Sequence, residues 1–87
     1  MLNNNVMLPT TVKLQVRTEP FVLARVAVLL RKYDVFVQQV VRNTLDDNRE
    51  EITLTVINNR DNLAVALRKL ERLVPVVTLQ WEAAAQK

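Results

Sequence analysis

Arg17-Thr18-Glu19-Pro20-Phe21-Val22-Leu23-Ala24-Arg25-Val26 joins two stretches of different hydrophobic period, and the change of period across it decides the fold. Upstream, residues 11–17 alternate: Val12, Leu14 and Val16 fall on one face, Thr11, Lys13, Gln15 and Arg17 on the other. That is the pattern of a half-buried strand. Downstream, Val22, Leu23, Val26, Leu29, Leu30 and Tyr33 recur at spacings of three and four, so residues 21–33 read as a helix with one apolar stripe. Between them Thr18-Glu19-Pro20 breaks the strand. Threonine is a capping residue, and proline is tolerated in a first helical turn because its missing N–H has no partner there. Arg31 and Lys32 close the helix, where cations complement its dipole.

Working outward, residues 35–45 begin with β-branched and aromatic side chains and read as a second strand, turned by Asp46-Asp47-Asn48. Residues 51–57 form a third strand with Ile52, Leu54 and Val56 inward and Thr53 and Thr55 outward. Asn58-Asn59-Arg60-Asp61 supplies cap chemistry for a second helix, whose buried stripe is Leu63, Ala66, Leu67, Leu70, Leu73 and Val74. Pro75 stops it, and residues 76–81 form the last strand. Residues 11–81 make one domain, with a flexible N-terminal segment at 1–10 and a tail at 82–87. The order βαββαβ predicts an α+β, ferredoxin-like domain: a four-stranded antiparallel sheet with two helices on one face. Right-handed crossovers place strands one and three centrally and strands two and four at the edges. The chain has no glycine. Any left-handed backbone must therefore fall on asparagine or aspartate, with Asp34, Asp47, Asn48 and Asn59 as candidates.

An 87-residue chain buries only about 60% of its unfolded surface, which favours completing burial against a second molecule. Cysteine and histidine are both absent, removing thiolate chemistry, the commonest general base and the commonest metal ligand together. No catalytic, cofactor-binding or metal-binding constellation remains. The acidic run Asp46-Asp47-Asn48-Arg49-Glu50-Glu51 lacks the glycine and alternate-ligand spacing of a calcium loop and reads as a hairpin turn. The net charge of +3 is spread along the chain among acidic residues, the pattern of a solvated surface. The open sheet face would show Lys13, Gln15, Arg17, Thr53 and Thr55, with no aromatic platform for base stacking. Nucleic-acid binding is therefore disfavoured. Trp81, at the end of an edge strand, is expected to plug the core or an interface. No apolar run reaches the roughly 20 residues of a membrane span. Residues 1–10 do not resemble a secretory signal, and the expectation is a soluble, cytoplasmic protein.

The junction quoted above, followed by Leu29-Leu30-Arg31, resembles the ACT-domain pattern polar-x-Pro-Gly-x-Leu-x-Arg-Val. More narrowly, the chain resembles the small regulatory subunits of acetolactate synthase (acetohydroxyacid synthase), most of all their short, single-domain isozyme II type. Arg17, Pro20, Leu23, Arg25-Val26, Arg31, Leu54-Thr55-Val56, Leu70, Leu73-Val74 and Val77 carry the likeness. The resemblance implies a non-catalytic subunit that pairs with its own copy through second strands and neighbouring first helices. It also implies activation of a large catalytic subunit, which would hold thiamine diphosphate, magnesium and FAD. A branched-chain amino acid such as valine would bind where the effector loop, Thr18, Glu19, Pro20, Phe21 and Val22, meets a neighbour's second strand. There Val35, Phe36, Val37 and Gln38 would form the dimer seam. Arg25 and Arg42 are candidate contact charges for the large subunit.

The sequence departs from that pattern where the effector would sit. Thr18 stands for the family's loop asparagine, Phe21 for its loop glycine, and Asp34-Val35-Phe36 for its Gly-Tyr-Asn. Two phenyl rings at one seam suggest a filled pocket, with weak or absent valine feedback, or else simple core or dimer packing. A free-standing ACT amino-acid sensor and an RNA- or DNA-binding split βαβ module are the competing expectations.

Overall fold

A computed structural model describes residues 9–57 and 60–83. The elements follow in the order β1 (Pro9–Arg17), α1 (Val22–Lys32), β2 (Phe36–Thr44), β3 (Arg49–Ile57), α2 (Arg60–Glu71) and β4 (Val76–Ala83). The four strands form one antiparallel sheet in the order β2-β3-β1-β4. This is the expected α+β, ferredoxin-like arrangement, with β1 and β3 central.

Alternation along β1 and β3 builds the core. Val12, Leu14 and Val16 pair across the sheet with Leu54, Ile52 and Glu50, and the apolar members of that set are buried against the helices. Val22, Val26 and Leu30 of α1 and Leu63, Ala66, Leu67 and Leu70 of α2 close over them in one cluster. Leu23, Leu29, Tyr33 and Leu73 pack around its margin. Burying a leucine or valine of this kind contributes about 1.5–3 kcal/mol.

Helix α1 ends in a Schellman motif built without glycine. Asp34 lies in the left-handed region, at φ 58°. Its N–H donates to the Arg31 carbonyl at 3.0 Å, and the Val35 N–H reaches back to the Leu30 carbonyl at 3.0 Å. The hydrophobic contact that accompanies this motif is Val35 over Leu30, both buried.

The structure corrects several expectations. Pro9 and Thr10 belong to β1, and Glu82 and Ala83 extend β4, so the strands reach past both edges drawn for the domain; residues 1–8 and 84–87 lie outside the described residues. Among the described residues, the second left-handed position is Phe21, at φ 66°, rather than Asp47 or Asn48; Asn59 is outside the described residues. Thr18 does not cap α1: Phe21 occupies the N-cap with no side-chain bond, and the Thr18 N–H donates to the Asn48 carbonyl at 2.7 Å instead. Helix α2 stops at Glu71, which leaves Val74 outside it and 70% exposed. Trp81 shares the helix-side face with Leu79, as its pairing with Val12 requires, but at 56% exposure it does not plug the core.

Candidate functional site

Residues 18–22, the loop expected to meet an effector, run over the carboxyl end of β1. Thr18 is tied to the β2–β3 hairpin through Asn48, while Arg17 is tied to the α2–β4 connection, its N–H donating to the Pro75 carbonyl at 2.8 Å and its Nη2 to the Val74 carbonyl at 3.1 Å. These bonds fix the loop between its two neighbours. Helix α1 begins with a bond from the Arg25 N–H to the Phe21 carbonyl at 2.9 Å. A left-handed residue other than glycine costs about 1–2 kcal/mol, and bulky side chains fare worst. Phe21 carries that strain while its ring stands 78% exposed. The ring is therefore no part of the core.

Phe36 begins β2 and is 64% exposed. Pairing with Ile57, whose other neighbour is Pro9, places it at the far end of the sheet from Phe21, which follows Arg17. One chain therefore does not bring the effector loop and the seam residues together. An antiparallel β2–β2 pairing of two copies would do so, because it sets the start of one β2 beside the end of the other. Core packing is excluded for both rings by their exposure.

Among the seam residues, Val35 is only 4% exposed and belongs to the core and the α1 cap. Its burial removes it from any surface. Val37 and Gln38 are exposed on β2, and the register shifts between Val37 and Gln39, so a β-bulge interrupts the edge there. The regular part of the edge is residues 39–44. Every residue of β2 is exposed, and among the described residues no strand pairs with its outer edge beyond β3.

A depression lies between the effector loop and the hairpin, lined by Thr18, Arg42, Thr44, Asp46, Asp47 and Glu50. Its chemistry is dominated by one ion pair: Arg42 Nε donates to Glu50 Oε1 at 2.8 Å and Nη2 to Oε2 at 2.9 Å. The hydrogen bonds from Arg42 hold the Glu50 carboxyl below its ordinary range, against the opposing effect of burial. In the hairpin, Asp46 Oδ1 accepts the Asn48 N–H at 2.8 Å, and this bond is the main reason its carboxyl also sits low. Asp46 additionally pairs with Arg49 at 3.1 Å. Three carboxylates thus face the depression, with Arg42 already committed to one of them.

Of the two candidate contact charges, Arg42 is spent inside the chain and Arg25 is exposed on α1. Glu50 was not singled out from the sequence, although the signal was there. Counting back by two from Ile52 puts residue 50 on the buried face, and a strand taken to begin at 51 leaves it out. The left-handed Phe21 had a signal too, since it stands where the ACT pattern has glycine.

No protein-family model matches the chain, and no curated protein matches it by sequence. Solved structures do match. The C-terminal domain of the MgtC protein from Mycobacterium tuberculosis aligns over 97% of this chain and 94% of its own, with a TM-score of 0.74 and 16% identity. The ACT domain of GTP pyrophosphokinase from Chlorobium tepidum aligns over 88% of this chain and 100% of its own, with a TM-score of 0.74 and 17% identity. The regulatory subunit of aspartate kinase from Thermus thermophilus gives a TM-score of 0.68 at 18% identity; 90% of this chain is covered, and it spans 52% of that one. The likeness is one of fold: this chain has the ferredoxin-like architecture found in ACT domains.

Proposed function

We propose that the chain is a non-catalytic regulatory domain of the ACT type, acting as the activating small subunit of an acetolactate synthase with weak or no response to valine. The observation that carries the regulatory reading is the pairing of this fold with a nine-residue edge strand, β2, on which every side chain is exposed. Such an edge is suited to a copy of itself, and the resulting two-fold pair would bring each effector loop to the neighbour's Phe36. The small-subunit assignment rests on the junction pattern from Arg17 to Arg31 and the positions further along that share it. Activation then consists of binding one conformation of the large subunit more tightly than the other. Thiamine diphosphate, magnesium and FAD belong to that partner.

Weak feedback follows from the seam. An amino acid effector brings an ammonium and a carboxylate. Asp46, Asp47 and Glu50 line the depression beside the loop and suit the ammonium, but Arg42, the cation that lines it, is already bound to Glu50 and leaves the carboxylate without a partner. Phe21 fills the position where glycine would let a ligand approach the helix amides.

The experiment is reconstitution: purified chain is added to a purified acetolactate synthase large subunit and acetolactate formation is followed with and without valine. A rate increase that valine does not reverse supports the proposal, and no increase removes the enzyme assignment. Calorimetry of the chain with valine, leucine and isoleucine addresses the second reading, a free-standing amino-acid sensor, which the fold shared with an aspartate kinase regulatory subunit favours. A saturable heat would select it.

A further inference from the structure

The outer surface of the helical layer carries a groove between α1 and α2, whose lining includes Arg25, Val28, Leu29, Lys32, Lys69 and Leu73. Its floor is apolar, and Val28 stands 69% exposed within it. A valine that open on a helix whose opposite stripe already fills the core has no role in folding. Three cations, Arg25, Lys32 and Lys69, stand around the floor, and among the described residues no carboxylate lines it. Helix α1 contains no acidic residue from end to end, and among the described residues none of the three cations enters an ion pair. The groove is thus apolar at the bottom and positive at the rim; Lys32 lies over the Tyr33 ring at 5.9 Å, while Arg25 and Lys69 are exposed.

We infer that this groove docks an acidic amphipathic helix of a partner protein. Ridges of one helix pack into the channel between two others at the spacing of their own side chains, so apolar residues at i, i+4 and i+7 reach Val28, Leu29 and Leu73. Carboxylates flanking that stripe meet Arg25, Lys32 and Lys69. Charge selects among occupants. A second copy of this chain would set cation against cation, so self-association through this face is opposed. A nucleic-acid backbone gains from the cations and nothing from the apolar floor, and a membrane surface is flat where this site is a channel. The groove lies between the two helices of one chain and away from the β2 edge. A docked helix and a β2-paired dimer are therefore compatible. The groove and its cations are the same whichever enzyme the domain regulates.

The test is selection of helical peptides from a randomised displayed library against the intact chain, with affinities then measured in solution. Enriched peptides should be net acidic, with apolar residues at i, i+4 and i+7, and should shift the amide resonances of Ala24, Val28, Lys69 and Leu73. V28D should weaken the best peptide by about tenfold or more, and K69E by several-fold, while both variants keep the wild-type fold by circular dichroism. High salt should weaken binding as well. Failure to enrich any peptide, binders that are basic or that map to β2, or equal affinity for V28D would each overturn the inference. So would recruitment of the chain by anionic lipid vesicles or single-stranded DNA in place of peptides, lost in V28D.

Discussion

Arg42 and Glu50 face each other diagonally across β2 and β3: Arg42 is in register with Ile52, and Glu50 with Thr44. The guanidinium spans that step with two parallel bonds of 2.8 and 2.9 Å. Glu50 occupies an inward position, opposite Val16, where a carboxylate is tolerated only because Arg42 satisfies both its oxygens. Arg42→Ala leaves that carboxylate near the core with no partner and should lower unfolding free energy by about 1–3 kcal/mol, read from urea denaturation. Arg42→Lys, which offers a single point charge, should recover only part of the loss. An unchanged midpoint for Arg42→Ala would show that water replaces the guanidinium without cost.

The same pair sets an acid limit. Glu50 has a lower pKa in the folded chain than its ordinary value of 4.5, chiefly through the bonds from Arg42. In the acid range the unfolded chain therefore binds more protons, and stability rises with pH. The contribution is complete above that ordinary value and disappears as pH falls through the lower folded one. Glu50→Gln should flatten the wild-type loss of stability across this window and change little near neutrality beyond a constant offset. Parallel curves for the two proteins, measured by thermal unfolding at a series of acid pH values, would place the acid sensitivity elsewhere.

Much of this was legible in the sequence because hydrophobic period maps directly onto burial. Val12, Leu14, Val16, Ile52, Leu54 and Val56 alternate, and all are buried; Val22, Val26 and Leu30 repeat at helical spacing and face them. Asp34 was readable as a left-handed residue because a helix had to end there without glycine. What was hidden depends on neighbours distant in sequence. Val35 looked like the start of a surface strand, but the Schellman motif folds it inward. Arg42 looked like a free charge until Glu50 was brought beside it. The bulge at Gln38 has no period of its own to betray it, since inserting one residue changes the facing of the strand without changing its composition.

Phe21 holds a strained backbone with an exposed ring, so removing the ring should not weaken the fold. Phe21→Gly relieves about 1–2 kcal/mol of left-handed strain and gives back part of it, roughly 0.5–1 kcal/mol, through the greater freedom of the unfolded chain. Stability should stay level or rise slightly. Phe21→Val places a β-branched side chain in the same conformation and should cost about 1 kcal/mol or more. Chemical denaturation of both variants checks the pair. A large loss in Phe21→Gly would mean that the ring, despite its exposure, is held by contacts that stabilise α1.

The β2 edge provides the sharpest separation between a lone domain and a paired one. Residues 39–44 are the regular part of the strand, and Val40 and Val41 are both exposed there, one on each face of the sheet. If two copies join antiparallel with the two-fold axis at Val41, Val41 faces its own symmetry mate and Val40 lies diagonally across from its own, within reach of a long side chain. Lysine at either position then sets like charges side by side across the two-fold axis, which opposes pairing. Val40→Lys and Val41→Lys should therefore shift sedimentation towards monomer by at least about tenfold in dissociation constant, an effect of roughly 1.4 kcal/mol. Neither change should unfold the domain, because neither side chain belongs to the buried core cluster. Raising the salt should partly restore the dimer, since the penalty is electrostatic and the side chains are solvated. A wild-type chain that sediments as a monomer at every concentration, or variants that dimerise as well as wild type, would move the interface off this edge. Phe21 of one chain would then not meet Phe36 of the next.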